Sequence, residues 1–433
     1  MRLVHGKTAA AVRARGCRWR GPVSEQEGLR IAVRKLDAFE GAIEKQWADF
    51  RRSEQQNLGL EIVPLNIPDL HEALFDKKGL ERGDFDVAFV VTDWIAEAAA
   101  GRHLADLQPY LKELPPEGYP DGWDPALFRF QTFGSEVYGL PYHTGHKCLI
   151  YRKDLVDDPG EQAAYEREFG APLTVPRSWD TFAQFARFFN RPQQALSGVV
   201  FFACEDGYNT VCDFCIHLLS RGGILADASG SFALNHPLVE ETLAFYREMV
   251  NDPQIALSHT RTFDAVESGM AFVRGEAAMM MNWYSWAAQC EVLSDSRVKG
   301  KVGVAHLPNE IGQPGFSLNV YWVLGIAAGS DKKDLAYRFI RHCASREMDR
   351  VLTLEGGNGC RRSTWQDEQL NRQIPFYRGL EALQSEARDM PRLPEWTRLA
   401  NVIDAMMMEA IHSDRSVADI AEEGRREADR IPG

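Results

Sequence analysis

The chain has 433 residues, enough for two or three domains with their own cores, and its 45% hydrophobic and 26% charged content is ordinary for a soluble globular protein. Its formal net charge of −13 argues against a general nucleic-acid or anionic-membrane binder, because phosphate surfaces require clustered Lys and Arg. No apolar run approaches the roughly 18 to 20 residues that span a bilayer, so no transmembrane segment is expected.

Residues 1–28 carry Arg2, Lys7, Arg13, Arg15, Arg18 and Arg20, with no acid before Glu25. That is the charge pattern of an export signal, but the weakly apolar stretch 9–12 is shorter than the roughly 7 to 15 residues of a signal core. A leader without defined structure is expected there, ahead of a domain starting near Leu29. Residues 29–34 read as a first strand. The helix after it carries Phe39, Ile43, Trp47 and Phe50 on one 3.6-residue stripe. Residues 60–65 form a second strand, and 85–91 a near-continuous apolar one, as in a parallel sheet covered on both faces. It ends at Asp93 and Trp94, and an alanine-rich helix closed by Gly101 follows. Alternating β and α segments argue for a doubly wound α/β unit.

Near residue 140 the pattern restarts. Residues 147–151 and 197–203 read as strands, flanking a helix capped by Ser178 that carries Phe182, Phe185, Ala186 and Phe189 on one face. Helices are expected over 210–220, 237–250 and 263–273, then strands over 277–281, 301–306 and 320–327. From 331 the chain reads almost entirely as helix, ending in 393–412 and 416–431.

Two distant segments carry the functional signal: GLPYHTGHKCLIYRKDL (139–155) and AFVRGEAAMMMNWYSWAA (271–288). The second sets Trp283, Tyr284 and Trp286 directly after an apolar strand. Ligands of open α/β sheets bind beyond the strand ends, where flat rings suit a sugar or another half-apolar small molecule. Glu205, Asp206 and Tyr208 follow the 197–203 strand and present acceptors and a ring. Glu40 begins the first helix, where it either accepts hydroxyl hydrogen bonds or simply complements the helix dipole. Metal-like spacings exist at His143 and His146 and at Cys212-x-x-Cys215, but each lacks its second half, so neither a metal nor another cofactor is expected. GGNGC lacks the Lys and Ser/Thr of a phosphate loop. The eight cysteines do not make a small disulfide scaffold, and so many thiols fit poorly with an oxidising compartment.

In four segments the chain resembles the extracellular solute-binding proteins of family 1, the maltose-binding type that serves ABC importers. They are GLPYHTGHKCLIYRKDL, VPRSWDTFAQFARFF, FDAVESGMAFVRGEAAMMMNWYSWAA and LEGGNGCRRSTW, in the family's order; Gly359 stands where the last usually has proline. The resemblance implies a two-lobe α/β periplasmic-binding-protein-like fold of type II with C-terminal helices. Lobe one would span 29–142 plus 283–325 and lobe two 143–282 plus 326–433, with crossings near His143–His146, Asn282 and 324–327. It also implies a ligand-binding acid at Asp93 beside Trp94, cleft roles for His143, Asn319, Trp322 and Arg361, and a stacking aromatic at Trp396. The expected protein is a monomeric, non-enzymatic binder of a carbohydrate-like solute, periplasmic or at the cell surface, partnered by importer membrane subunits. The alternatives are a cytoplasmic or receptor-linked sugar sensor on the same fold, and a carbohydrate-active enzyme using Glu205 or Asp206.

Overall fold

The computed structural model describes residues 28–431 apart from 56, 228–231, 235–236, 259 and 313–314. The expected leader lies, except for Gly28, outside the described residues. The first sheet has the order Gly59–Leu65, Gly28–Arg34, Val87–Val91, Val320–Ile326, Leu140–Gly145. Its first three strands run parallel and its last two antiparallel to their neighbours. All five residues of Val87–Val91 are buried, which is why that segment is apolar without alternation.

The helix Asp37–Glu54 lays Phe39, Ile43, Trp47 and Phe50 onto this sheet. Trp47 and Phe50 meet Phe339 at ring-centroid distances of 4.9 and 5.5 Å, so the helix Lys333–Cys343 covers the same layer. The second sheet has the order Val302–Ala305, Lys147–Arg152, Ala277–Trp283, Ser197–Val200. Ser178 caps the helix Trp179–Phe189 through a capping box with Thr181, and the helix buries the expected Phe182, Phe185, Ala186 and Phe189. On the same lobe Asn209–Leu219, Pro237–Asn251 and Trp396–His412 pack against one another, and Val417–Ala428 lies across the last two.

The chain passes between the sheets three times. His146 alone separates Leu140–Gly145 of the first sheet from Lys147–Arg152 of the second. It returns between Ala305 and Val320, and leaves again between Arg388 and Trp396.

This path corrects the expected lobe boundaries. Asn282 is no crossing: it pairs with Cys148 inside the second sheet. The helix Tyr284–Val292 and the strand Val302–Ala305 stay with that sheet, so lobe one does not resume at 283. Residues 324–326 lie within a first-sheet strand, paired to Phe89, Ala88 and Val87. The helices Lys333–Cys343 and Arg346–Leu354 then pack on Asp37–Glu54, so lobe two does not resume at 326 either. A helix following a strand folds back over its own sheet, whereas the expected boundaries broke the chain where its composition changed.

Candidate functional site

The C-terminal ends of the first-sheet strands face the second lobe across a cleft, and three adjoining cavities run along it. The smallest, about 60 Å³, is walled by Phe39, His143 and Trp322 from the first lobe and Tyr208, Trp283 and Trp286 from the second. A chamber of about 720 Å³ opens from it past Arg34 and Asn209. A third, about 780 Å³, lies beside Trp94 and the start of Trp396–His412 and shares Ile67, Pro68, Glu205 and Asp206 with the second.

Trp283 is the last residue of its strand, and alternation along the strand turns its indole into the cleft. Tyr208 stacks on it at 5.4 Å with 15° between planes, and Trp322 meets Tyr208 edge-on at 6.2 Å. Trp283 Nε1 donates to Asn209 Oδ1 at 2.7 Å. Behind the indole lies the buried Lys147, its Nζ 5.0 Å from the ring, paired with Asp213 and donating to Asn209 O at 2.8 Å. Trp286 sits against Gly269, where a Cβ would come within 2.1 Å of the indole; only glycine leaves room for it.

Asp206 begins the next layer. Its carboxylate accepts from Tyr208 N, Asn209 N and Asn209 Nδ2 and so ties down the start of Asn209–Leu219. Asp404 accepts in turn from Asp206 N, Gly207 N and Thr210 Oγ1, and burial pushes its carboxyl up to about 6. Glu205 is exposed at the rim.

On the first-lobe side Asp93 is buried, with Oδ1 lacking a hydrogen-bond partner among the described residues. Burial pushes its carboxyl up to about 7, opposed by a hydrogen bond from Trp396. Trp94 stands edge-on to Trp322 at 5.9 Å and to His71 at 5.1 Å. Thr397 donates to Glu97 at 3.0 Å, so the start of the late helix touches the first lobe beside Trp396. His143 accepts from Asn358 N at Nδ1, which leaves Nε2 as its donor; burial lowers its pKa to about 3, so the ring is neutral.

Six expected site residues line none of the three cavities: Asp93 and Trp396, buried and hydrogen-bonded to each other, and four more that point elsewhere. Tyr284 opens a helix rather than a loop and is fully buried, donating to Phe376 O at 2.7 Å. Asn319 is buried among Ala126 O, Asp389 and Gln384. Arg361 is 1% exposed, and its guanidinium donates to Ala344 O and Glu117 O and covers Trp123 at 4.2 Å. Glu40 is half-buried in the first helical turn and lines none of the three cavities. The glycine-rich turn serves the cleft indirectly, since Asn358 holds both His143 and the backbone of Thr144.

Arg34 and Asn209 escaped the sequence reading. Arg34 had a signal, its place at the C-terminal end of a parallel strand. Asn209 had none, since its part depends on Trp283 arriving from 74 positions away. Cys212 and Cys215 are buried in the helix Asn209–Leu219, and all seven described cysteines are unbonded.

The family model described as bacterial extracellular solute-binding protein matches residues 37–349. A probable ABC transporter-binding protein of Deinococcus radiodurans is 25% identical over 346 residues, covering 78% of this chain and 77% of its own length. Among solved structures, the maltose-bound MalE3 of T. maritima superposes with a TM-score of 0.81 at 23% identity, over 93% of this chain and 99% of that one. A ribitol complex of an ABC transporter solute-binding protein from Agrobacterium radiobacter gives 0.83 at 21%, over 94% and 99%. At these identities the two structures speak for the fold.

Proposed function

This chain belongs to the bacterial extracellular solute-binding proteins, and from that premise we propose that it captures a carbohydrate or polyol between its lobes for delivery to an ABC importer. The observation that carries this reading is the aromatic cluster in which Tyr208 stacks on Trp283 and meets Trp322 edge-on, all three lining one pocket walled by both lobes. Aromatic faces receive the C–H face of a sugar ring, while His143 Nε2 and Asn209 supply hydrogen bonds at its edge. The ring-stacking contribution is about 0.5 to 1.5 kcal/mol per ring beyond area burial. A micromolar site requires about 8 kcal/mol in all, which leaves most of the affinity to burial and hydrogen bonding.

The solute-bearing relatives support a small polyhydroxylated ligand, since one holds maltose and another ribitol. Binding without turnover is part of the proposal. Asp206 is engaged at the start of a helix by three hydrogen bonds, so it is not free to pair with its neighbour Glu205 as the two carboxylates of glycoside hydrolysis. A place outside the cytoplasmic membrane follows the family. Of the seven described thiols six are buried, and burial raises their pKa values, which keeps them out of thiol chemistry there.

Thermal unfolding against mono-, di- and oligosaccharides and polyols tests the proposal. Ligand at 100 times its dissociation constant stabilises the native state by about 2.7 kcal/mol. A selective shift with the compound recovered unchanged, and compaction in small-angle scattering, is the expected result. Silence across the panel, or chemical change in the ligand, overturns it.

A further inference from the structure

Arg34 ends the first strand with its side chain lining both the small aromatic pocket and the wider chamber. A guanidinium carries five N–H donors. The one side-chain hydrogen bond this one makes among the described residues is from Nη1 to Lys35 O at 2.9 Å, and no carboxylate there lies within ion-pair distance. The acids that act on it electrostatically, Asp206 and Asp264, belong to the second lobe and are already engaged at helix starts. Asp206 holds the backbone of Tyr208 and Asn209, and Asp264 that of Val266 and Glu267. Both acids line the wider chamber and neither lines the aromatic pocket.

Among the described residues Arg34 is therefore the only charged side chain lining the aromatic pocket. The other polar ring there, His143, is neutral, and the remaining walls are chiefly Phe39, Tyr208, Trp283, Trp286 and Trp322. Arg34 is half-exposed where the pocket meets the chamber, so its free donors are open to a ligand, and the planar fork of arginine matches the two oxygens of a carboxylate. A pocket of about 60 Å³ has room for that group, while the rest of a polyhydroxylated chain extends into the chamber past Asn209.

We propose that Arg34 receives a carboxylate of the solute, so that the protein selects an acidic sugar, an aldonate or a uronate, over the neutral sugar or polyol of the same skeleton. This rests on the solute-binding reading above and narrows it.

The test uses the full chain in titration calorimetry with D-gluconate, D-glucuronate and D-galacturonate against D-glucitol, D-glucose and D-galactose. At least one acid is expected to bind at least tenfold more tightly than its neutral counterpart. Arg34→Gln should weaken that acid by about 10- to 100-fold, the loss of a charge-assisted pair, and bring it level with the neutral skeleton. Arg34→Lys, which keeps the charge and loses the fork, should fall between; circular dichroism confirms that both variants fold. Trp283→Ala should weaken acid and neutral ligands by the same factor. Neutral compounds binding as tightly as the acids, or an acid preference surviving in Arg34→Gln, overturns the assignment of Arg34 while leaving solute binding intact. If none of the six binds while another sugar or polyol of the wider panel does, the assignment of Arg34 falls and solute binding stands.

Discussion

The two walls of the cleft are built differently. The first-lobe wall is held by ring edges: Trp322 touches Trp94 at 5.9 Å and Phe89 at 6.4 Å, and Phe39 meets His143 at 4.7 Å. These rings are continuous with the core of the first sheet. The second-lobe wall hangs on polar ties, from Trp283 to Asn209, from Asn209 to Asp206 and Lys147, and from Asp206 to Asp404. Substitution in the first wall should therefore act on stability. In the second it should reach the stack through groups that never touch a ligand.

The largest expected effects set the walls against each other. Trp322→Ala should cost about 3 to 5 kcal/mol of folding stability, as large aromatic truncations in cores do, measured by denaturant unfolding. Lys147→Met should cost about as much for another reason, because it strands the buried Asp213 carboxylate. Adding Asp213→Leu should then recover most of the loss, and a double variant no better than the single one refutes the polar-tie account.

Gly269→Ala comes next, at about 1 to 3 kcal/mol, because its Cβ would displace Trp286. An unchanged melting temperature would mean that the indole moves aside freely. Trp283→Ala should be milder still for folding, within about 1 kcal/mol, yet weaken solute binding roughly tenfold. If it unfolds the protein instead, the two walls are not distinct.

A further effect is one of pH. The Asp93 carboxyl titrates near 3.8 when unfolded and at about 7 when folded, so between these values the native state binds more protons. Stability attributable to Asp93 is thus complete below about pH 4 and is lost as pH rises through 7, at no more than about 1.4 kcal/mol per pH unit. Asp404 and Asp213 act in the same direction up to about pH 6. Asp93→Asn should flatten the slope between pH 6 and 7; an unaltered slope would show that Asp93 stays ionised.

Much of the fold was legible because its signals are local. Phe39, Ile43, Trp47 and Phe50 mark one helix by their spacing, and Ser178 marks the start of another. Illegible were the lobe boundaries, since the covering of Trp47 by Phe339 joins residues 292 positions apart, a contact no window of sequence contains. The site divides in the same way. Trp283 and Tyr208 stood out as rings after strands, but Tyr284, one residue further, faces the core because the strand ends there and a helix begins. Arg361 looked like a ligand group until Glu117 and Ala344 claimed it.

Periodicity and composition alone settled the kind of element at most positions, and the order of four short segments pointed to the family, because backbone preference and amphipathic spacing act over a few residues. Which aromatic of a neighbouring pair enters the cleft, which acids cap helices and which arginine is left unpaired were decided by the tertiary structure. Each of these depends on partners brought from distant parts of the chain into hydrogen-bonding or van der Waals range, and that proximity exists only once both sheets have formed.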